Sequence, residues 1–364
     1  MTTANDDTRW MAHALTLGRR GQGRVWPNPA VGCVIVKQGR VLGRGWTQPG
    51  GRPHAETMAL AQAGPDAAGA TAYVTLEPCA HHGKTPPCAT ALVQAGIARC
   101  VVATGDPDPR VSGKGIDILH RHGISVSQGV LKDRADYEHR GFFYRLQRHR
   151  PRVTVKLALS LDGRIATASG ESQWITGPQA RRMVHADRLA HDAVMVGGGT
   201  ARADDPTLTV RGLGAGHQPL RIVTSRHLDF PGTALQATLD RAPLWILHGT
   251  DAPETAKAPW NKAHVTLIET PTEGRLLNMT AGLGALADKG LTSIYVEGGG
   301  SLVASLLAAH LVDDVIVYHA GLAIGAEGRP GLGGLEQYIL AHCPRFTLQS
   351  IQQVGRDIRQ HWVP

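Results

Sequence analysis

Residues 53–56 read PHAE and residues 77–88 read EPCAHHGKTPPC. The first stretch sets His54 two positions ahead of Glu56; the second sets Cys79 and Cys88 each directly after a proline. One imidazole and two thiolates fill three of zinc's four tetrahedral positions and leave the fourth to water. Zinc lowers the pKa of such a water toward neutrality. Glu56 is not needed as a ligand, so it can take the water's proton and pass it to a leaving nitrogen. A purely structural zinc site would be closed by a fourth protein ligand, so this carboxylate argues for hydrolysis.

The surrounding residues place these groups at element ends. HAETMALAQAG (54–64) predicts a helix that stops at Gly64-Pro65, and TAYVTLEPC (71–79) a strand running into a loop. PCATALVQAG (87–96) predicts a helix that Cys88 begins. Unpaired N–H groups at a helix N-terminus favour a thiolate. His-x-Glu, then Pro-Cys, then a second Cys is the zinc-deaminase pattern. One departure stands out: the usual two-residue gap between the cysteines is here eight residues, AHHGKTPP. A longer loop can bulge outward and return. Within it Lys84 suits a substrate phosphate, and His81 and His82 either line the pocket or compete as ligands. Asn28, between two prolines, reads equally as a substrate contact or as a turn residue. Cys33, Cys100 and Cys343 read as small buried hydrophobes.

Outward from this centre, helices and strands alternate. NPAVGCVIVKQGRVLGRGW (28–46) predicts a hairpin around KQGR. RCVVATG (99–105) is the next strand, GIDILHRHG (115–123) and ISVSQGVL (124–131) repeat helix and strand, and KDRADYEHRGFFYRLQR (132–148) is a polar helix. This alternation implies an α/β layer with a largely parallel sheet. A boundary falls near 146–152, where Pro151 follows the basic run RLQRHR, giving domains 1–148 and 149–364. The second domain has strand patterns starting at 152, 192, 219, 243, 264, 292 and 313, with helices over 177–190, 279–290 and 300–310. Its tail, RFTLQSIQQVGRDIRQHWV (345–363), predicts two antiparallel edge strands.

VMVGGGTARADDP (194–206) and IYVEGGGSLVASLLAAH (294–310) each run strand, three glycines, helix. Such turns let a backbone approach a pyrophosphate, and the helix N-terminus supplies donors. Neither matches G-x-G-x-x-G, so the common dinucleotide fingerprint is absent. The strand RIVTSR (221–226) ends in Ser225 and Arg226, a hydroxyl and a guanidinium suited to a 2′-phosphate. NADPH is the cofactor this predicts.

The whole-chain numbers agree. With 364 residues the chain exceeds one ordinary core, and 44 Gly and 22 Pro suit a loop-rich globular protein. Lys and Arg number 38 against 30 Asp and Glu, a net +8 that favours anionic ligands. The charges are scattered and aromatic residues make up only 5%, which speaks for small phosphorylated ligands and against an extended nucleic-acid groove. The metal motif alone also permits a nucleic-acid base editor, against which the missing basic–aromatic clusters and the paired glycine turns both count. No apolar run suffices to cross a bilayer, the start lacks an export signal, and five Cys suit a reducing cytoplasm. The sequence leaves room for a homo-oligomer.

WPNPAVGCVIV (26–36), PHAE, TLEPCAHHGKTPPC (75–88), SLDGRIA (160–166), SGESQWIT (169–176) and ADDPTLTVR (203–211) resemble the bifunctional deaminase–reductase family of riboflavin biosynthesis. The resemblance covers residues 8–364 in order, and the long Cys–Cys gap is normal for that family. It implies a cytidine-deaminase-like three-layer α/β domain followed by one similar to dihydrofolate reductase. It implies one zinc on His54, Cys79 and Cys88, Glu56 as proton shuttle, and Asn28 and Lys84 on the substrate. The implied substrate is a pyrimidinone bearing a ribosylamino phosphate, first deaminated and then reduced by NADPH at the ribosyl group. Lys156 and Ala158 would border the second site, with Ser172 on the sugar phosphate and Trp174 on the cofactor. Arg188, Leu208, Arg211 and Glu297 would bind substrate. Thr200, Asp204 and the run Gly299, Gly300, Ser301, Leu302, Val303, Ala304 and Ser305 would contact NADPH.

Overall fold

The run Gly32–Lys37 alternates its side chains between two buried layers, which is why it is apolar on both sides. Cys33 and Ile35 join a cluster with Ala55, Ala59, Val74, Leu92, Cys100 and Leu119. Val34 and Val36 join another with Trp10, Met11, Leu15, Tyr73 and Val101. A sheet covered on both faces needs this pattern. The computed structural model describes residues 4–80, 86–335 and 339–364, and its chain divides into two compact units, Met1–Arg148 and His149–Pro364.

In the first unit α1 (Ala4–Gly18) is followed by β1 (Gly32–Lys37), β2 (Arg40–Trp46), α2 (Ala55–Ala63), β3 (Thr71–Val74), α3 (Cys88–Gln94), β4 (Arg99–Val102), α4 (Lys114–Arg121), β5 (Ser125–Gln128) and α5 (Lys132–Gln147). The strands lie in the order β2-β1-β3-β4-β5. The expectation of a largely parallel sheet is corrected here. β1 runs antiparallel to both β2 and β3, and only β3, β4 and β5 are mutually parallel. The cause is the tight turn at Gln38-Gly39, both at positive φ (51° and 74°), which folds β2 straight back along β1. Helix α1 went unanticipated; it covers one face through Trp10, Met11, Ala14 and Leu15, spaced at helical period.

Two glycines bring α2 onto β2. A Cβ at Gly43 would stand 2.0 Å from the Ala59 carbonyl oxygen, and one at Gly45 2.0 Å from that of Ala55. The bare backbone of β2 therefore fixes the depth and heading of the helix whose start carries His54 and Glu56.

The second unit contains β6 (Arg152–Leu159), β7 (Arg164–Ala166), α6 (Pro178–Leu189), β8 (Ala193–Gly197), α7 (Gly198–Asp204), β9 (Leu220–Thr224), α8 (Thr233–Gln236), β10 (Leu244–Gly249) and α9 (Glu254–Lys257). It continues with β11 (Val265–Thr270), β12 (Thr272–Glu273), β13 (Leu276–Leu277), α10 (Met279–Asp288), β14 (Ser293–Glu297) and α11 (Gly300–Ala308). Last come β15 (Asp314–His319), β16 (Arg329–Pro330), β17 (Thr347–Val354) and β18 (Asp357–Val363). The main sheet is ordered β11-β10-β9-β8-β14-β6-β15-β18-β17. It is parallel throughout except at β18 and β17, the antiparallel edge that the tail announces. β7 pairs with β16 in a separate ribbon, and β12 with β13. Among the described residues no helix is long and apolar enough to cross a membrane.

Candidate metal centre and nucleotide cavity

His54 precedes the first residue of α2, Cys88 opens α3, and Cys79 follows β3. Their ligand atoms all lie within 4.8 Å of one another. His54 Nδ1 is 3.3 Å from Cys88 Sγ and 3.6 Å from Cys79 Sγ. A tetrahedral zinc with ordinary Zn–N and Zn–S bonds needs N···S edges of about 3.6 Å. The donor set and its spacing fit that ion.

The start of α3 wraps Cys79: the Cys88 N–H donates to Cys79 Sγ at 3.3 Å, and the Ala89 N–H to the Cys79 carbonyl at 3.2 Å. Hydrogen bonding from the Cys88 thiol, helped by His54 and the Cys88 N–H, draws the Cys79 thiol down to about 4. Cys79 is thus the readier thiolate. Glu56 lies in the first turn of α2, only 4% exposed. Burial, reinforced by Cys79, pushes its carboxyl up to about 7, where it can both hold and release a proton near neutrality.

The Asn28 amide fills the space a Cβ at Gly51 would take, with Nδ2 1.9 Å from that position, so only glycine fits there. Gly51 also has φ +84°. Asn28 thereby lies beside the turn that leads into Pro53-His54. Lys84, His81 and His82 fall outside the described residues. Cys33 and Cys100 are fully buried, and burial pushes the Cys100 thiol up to about 12. Cys343 departs from the expected burial: it is half-buried, because it ends a short exposed turn at Leu340–His342.

Two supporting residues had no sequence signal. Glu77 sits in the Pro-Cys motif itself, buried, with its carboxylate accepting the Gly113 and Gly115 N–H groups at 3.0 Å each. Its partners lie more than thirty residues on, so no local pattern reveals them. His139, on the polar helix α5, is buried with Nε2 3.1 Å from Thr75 Oγ1, which accepts the Gly32 N–H at 3.0 Å.

In the second unit β8 and β14 are adjacent and parallel. Their pairing sets the two triple-glycine turns side by side. A Cβ on Gly299 would lie 3.2 Å from Thr200 Oγ1 and 3.8 Å from the Gly197 nitrogen. A cavity of about 1900 Å³ opens at these carboxyl ends. That is room for a dinucleotide and a second ligand, at the position where parallel α/β sheets bind nucleotides.

Lys156, Ala158, Ser172, Trp174, Arg188, Thr200, Asp204, Leu208, Arg211, Ser225 and Glu297 all line the cavity, as do Gly299, Gly300, Ser301, Leu302 and Ser305. Val303 and Ala304 do not; they are buried within the packed side of α11, and the Val303 N–H already donates to the Gly299 carbonyl at 3.0 Å. Trp174 is 60% exposed, with the Arg181 guanidinium 4.4 Å over its ring. The Ser225 hydroxyl donates to Asp229 at 2.9 Å, and Arg226 is paired with Asp251 at 2.6 Å. The two groups that suggest a 2′-phosphate are therefore at the cavity but already engaged.

Glu297 and Arg188 form a two-armed pair, Nη2 to Oε2 at 2.8 Å and Nε to Oε1. Burial opposes ionisation of Glu297, yet Arg188 holds its carboxyl below the ordinary value. Arg188 also donates to the Thr209 carbonyl at 2.7 Å, and the fully buried Arg221 donates to that of Thr207 at 3.2 Å. These bonds brace the loop that carries Leu208. Across the strand pair from Glu297 stands Lys156, whose pKa burial lowers. Burial likewise raises the Asp204 carboxyl.

Residues 4–104 match the cytidine and deoxycytidylate deaminase zinc-binding region, and residues 151–359 match the RibD C-terminal domain. The riboflavin biosynthesis protein RibD of Escherichia coli (strain K12) is 42% identical over 384 residues, covering 98% of this chain and 99% of its own. That of Haemophilus influenzae is 40% identical, with 99% and 98% covered. Among solved structures, Acinetobacter baumannii RibD superposes with a TM-score of 0.89 at 37% identity, covering 100% of this chain and 99% of that one. A Thermotoga maritima diaminohydroxyphosphoribosylaminopyrimidine deaminase/5-amino-6-(5-phosphoribosylamino)uracil reductase gives 0.87 at 32%, with 99% of each covered.

Proposed function

The chain belongs to the RibD family of riboflavin biosynthesis proteins, and from that membership we propose how its own residues carry a deamination and a reduction. It is a bifunctional enzyme. It deaminates diaminohydroxyphosphoribosylaminopyrimidine and then reduces 5-amino-6-(5-phosphoribosylamino)uracil at the ribosyl group, yielding a ribitylamino-uracil phosphate. The observation that carries the first half is the convergence of His54, Cys79 and Cys88 beside a buried carboxylate, Glu56.

His54, Cys79 and Cys88 would hold zinc, which when bound would supply an acidified water for the attack. Glu56 accepts a proton at its carboxylate and delivers it to the departing amine, so that nitrogen leaves as ammonia. Asn28 and Lys84 hold the substrate. A reducing cytoplasm suits this unit, since its ligand thiols must stay free of disulfides.

NADPH, when bound at the glycine turns, supplies the hydride. Thr200, Asp204 and the start of α11 orient it. Arg188, Leu208, Arg211 and Glu297 orient the substrate's ribosyl carbon. Glu297, kept ionised by Arg188, is a poor proton donor. Lys156 is the donor we assign, because burial eases loss of its proton against the opposing pull of the Glu297 carboxylate, and it lies across the strand pair from that residue. Ser225 and Arg226 support the phosphorylated cofactor, with Arg226 exchanging Asp251 for the 2′-phosphate.

The purified chain, given diaminohydroxyphosphoribosylaminopyrimidine and NADPH, should release ammonia and consume NADPH in equal amounts. Ammonia without NADPH consumption would remove the reductase half. Steady-state preference for NADH would remove the cofactor assignment.

A further inference from the structure

On α6, His185 lies four residues after Arg181 and three before Arg188, and all three line the cavity. That spacing puts them on one helix face. Nδ1 of His185 is buried without a hydrogen-bond partner among the described residues. An orphaned buried N–H is rarer than an under-satisfied acceptor, so Nδ1 is the bare lone pair and Nε2 carries the proton. With Nδ1 buried, Nε2 is the edge left to face the cavity. Burial, joined by Arg188 and Arg211, lowers the ring's pKa to about 4, which keeps it neutral at working pH.

Its cationic neighbours differ in what they have left to give. Arg188 gives three of its five N–H groups to Glu297 and the Thr209 carbonyl, and its charge is paired with that of Glu297. Arg211 lines the same cavity, is exposed, and has no hydrogen-bond or ion-pair partner among the described residues. One neutral N–H and one uncommitted guanidinium together suit an anion rich in oxygen. Two such groups enter this cavity, the phosphates of the nicotinamide cofactor and the phosphate monoester of the substrate. The glycine turns already offer backbone donors to the cofactor's phosphates.

We infer that His185 is a further substrate-contacting residue, donating through Nε2 to the substrate's phosphate monoester beside Arg211. This rests on the reading of the cavity as the reductase site. A leucine at 185 keeps the bulk and removes the donor; a glutamine restores an N–H.

The test uses the full-length chain as wild type, His185→Leu and His185→Gln. Each is assayed for reduction of 5-amino-6-(5-phosphoribosylamino)uracil and its dephosphorylated counterpart, and titrated with NADPH by fluorescence. His185→Leu should raise KM for the phosphorylated substrate about 10- to 100-fold, the loss of a hydrogen bond to a charged group. NADPH affinity should stay within about twofold, which also shows the unit is folded, and His185→Gln should recover most of the loss. For the dephosphorylated compound wild type and His185→Leu should coincide. An unchanged KM in His185→Leu, an equal loss with both compounds, or a fall in NADPH affinity overturns the assignment. Failure of the wild type to reduce the uracil compound at all overturns the underlying reading instead.

Discussion

The carboxylate of Glu77 accepts the backbone N–H of Gly115 at 3.0 Å, tying the strand end that carries Cys79 to the first turn of α4. Its other oxygen accepts the Gly113 N–H at the same distance. Gly115 must be glycine for this approach, since a Cβ there would stand 2.0 Å from the Pro78 carbonyl oxygen. Glu77→Gln turns an N–H toward N–H groups and should destabilise the first unit by about 2–3 kcal/mol. Gly115→Ala should slow ammonia release by shifting Pro78-Cys79. Urea unfolding and the ammonia assay check the two. A Glu77→Gln unfolding curve superposable on wild type would show that the tie contributes nothing.

Acid sensitivity should trace partly to His139. Burial takes its pKa from 6.5 down to about 4. Between those values the unfolded chain binds a proton that the folded chain refuses, so stability falls as pH drops through that window. Above it the ring is neutral in both states and contributes nothing. The whole effect is about 3 kcal/mol. His139→Gln should unfold with a shallower pH dependence between pH 6.5 and about 4, measured as urea midpoints. Parallel slopes for wild type and variant would refute this.

Arg188→Met should abolish reduction while leaving ammonia release intact. It strands the Glu297 carboxylate in a buried site and frees the Thr209 carbonyl, at a cost of about 3–5 kcal/mol to the second unit. Glu297→Gln, which removes the charge and keeps an acceptor, should be milder in unfolding experiments. Equal destabilisation by both would mean that the charge itself is unimportant.

Gly300→Val should weaken NADPH binding at least about tenfold and spare the zinc reaction. A Cβ at Gly300 would sit 3.0 Å from the Gly333 nitrogen and 3.2 Å from the Leu332 carbonyl carbon. The Gly333 N–H donates to the Gly300 carbonyl at 2.9 Å, so the 331–333 segment and the start of α11 would move together. Fluorescence titration with NADPH measures the loss, and wild-type affinity would contradict it.

The metal site was legible because its chemistry restricts residue type as well as spacing: few purposes need His54, Cys79 and Cys88 beside an uncommitted Glu56. The glycine turns at 197–199 and 298–300 were legible as turns, but only the pairing of β8 with β14 makes them one site. Strand direction was partly legible: the hairpin at Gln38-Gly39 and the crossover through α2 give β2 and β3 one heading and β1 the opposite one. The insertion of β1 between β2 and β3 was not legible, because apolar patterning reports burial and not which strands pair. Glu77, His139 and Arg221 were missed because their partners are distant in sequence or are backbone atoms. Ser225 and Arg226 show the converse: the residue types are right for a phosphate, and only the structure reveals Asp229 and Asp251 beside them.

The most direct measurement strips the metal from the purified enzyme by exhaustive chelation and follows both reactions on the same sample. Ammonia release should vanish and return with one zinc per chain, while NADPH-driven reduction of the deaminated compound continues throughout. Glu56→Gln should retain the zinc and still release no ammonia. Metal-free protein that goes on releasing ammonia would contradict the assignment of His54, Cys79 and Cys88.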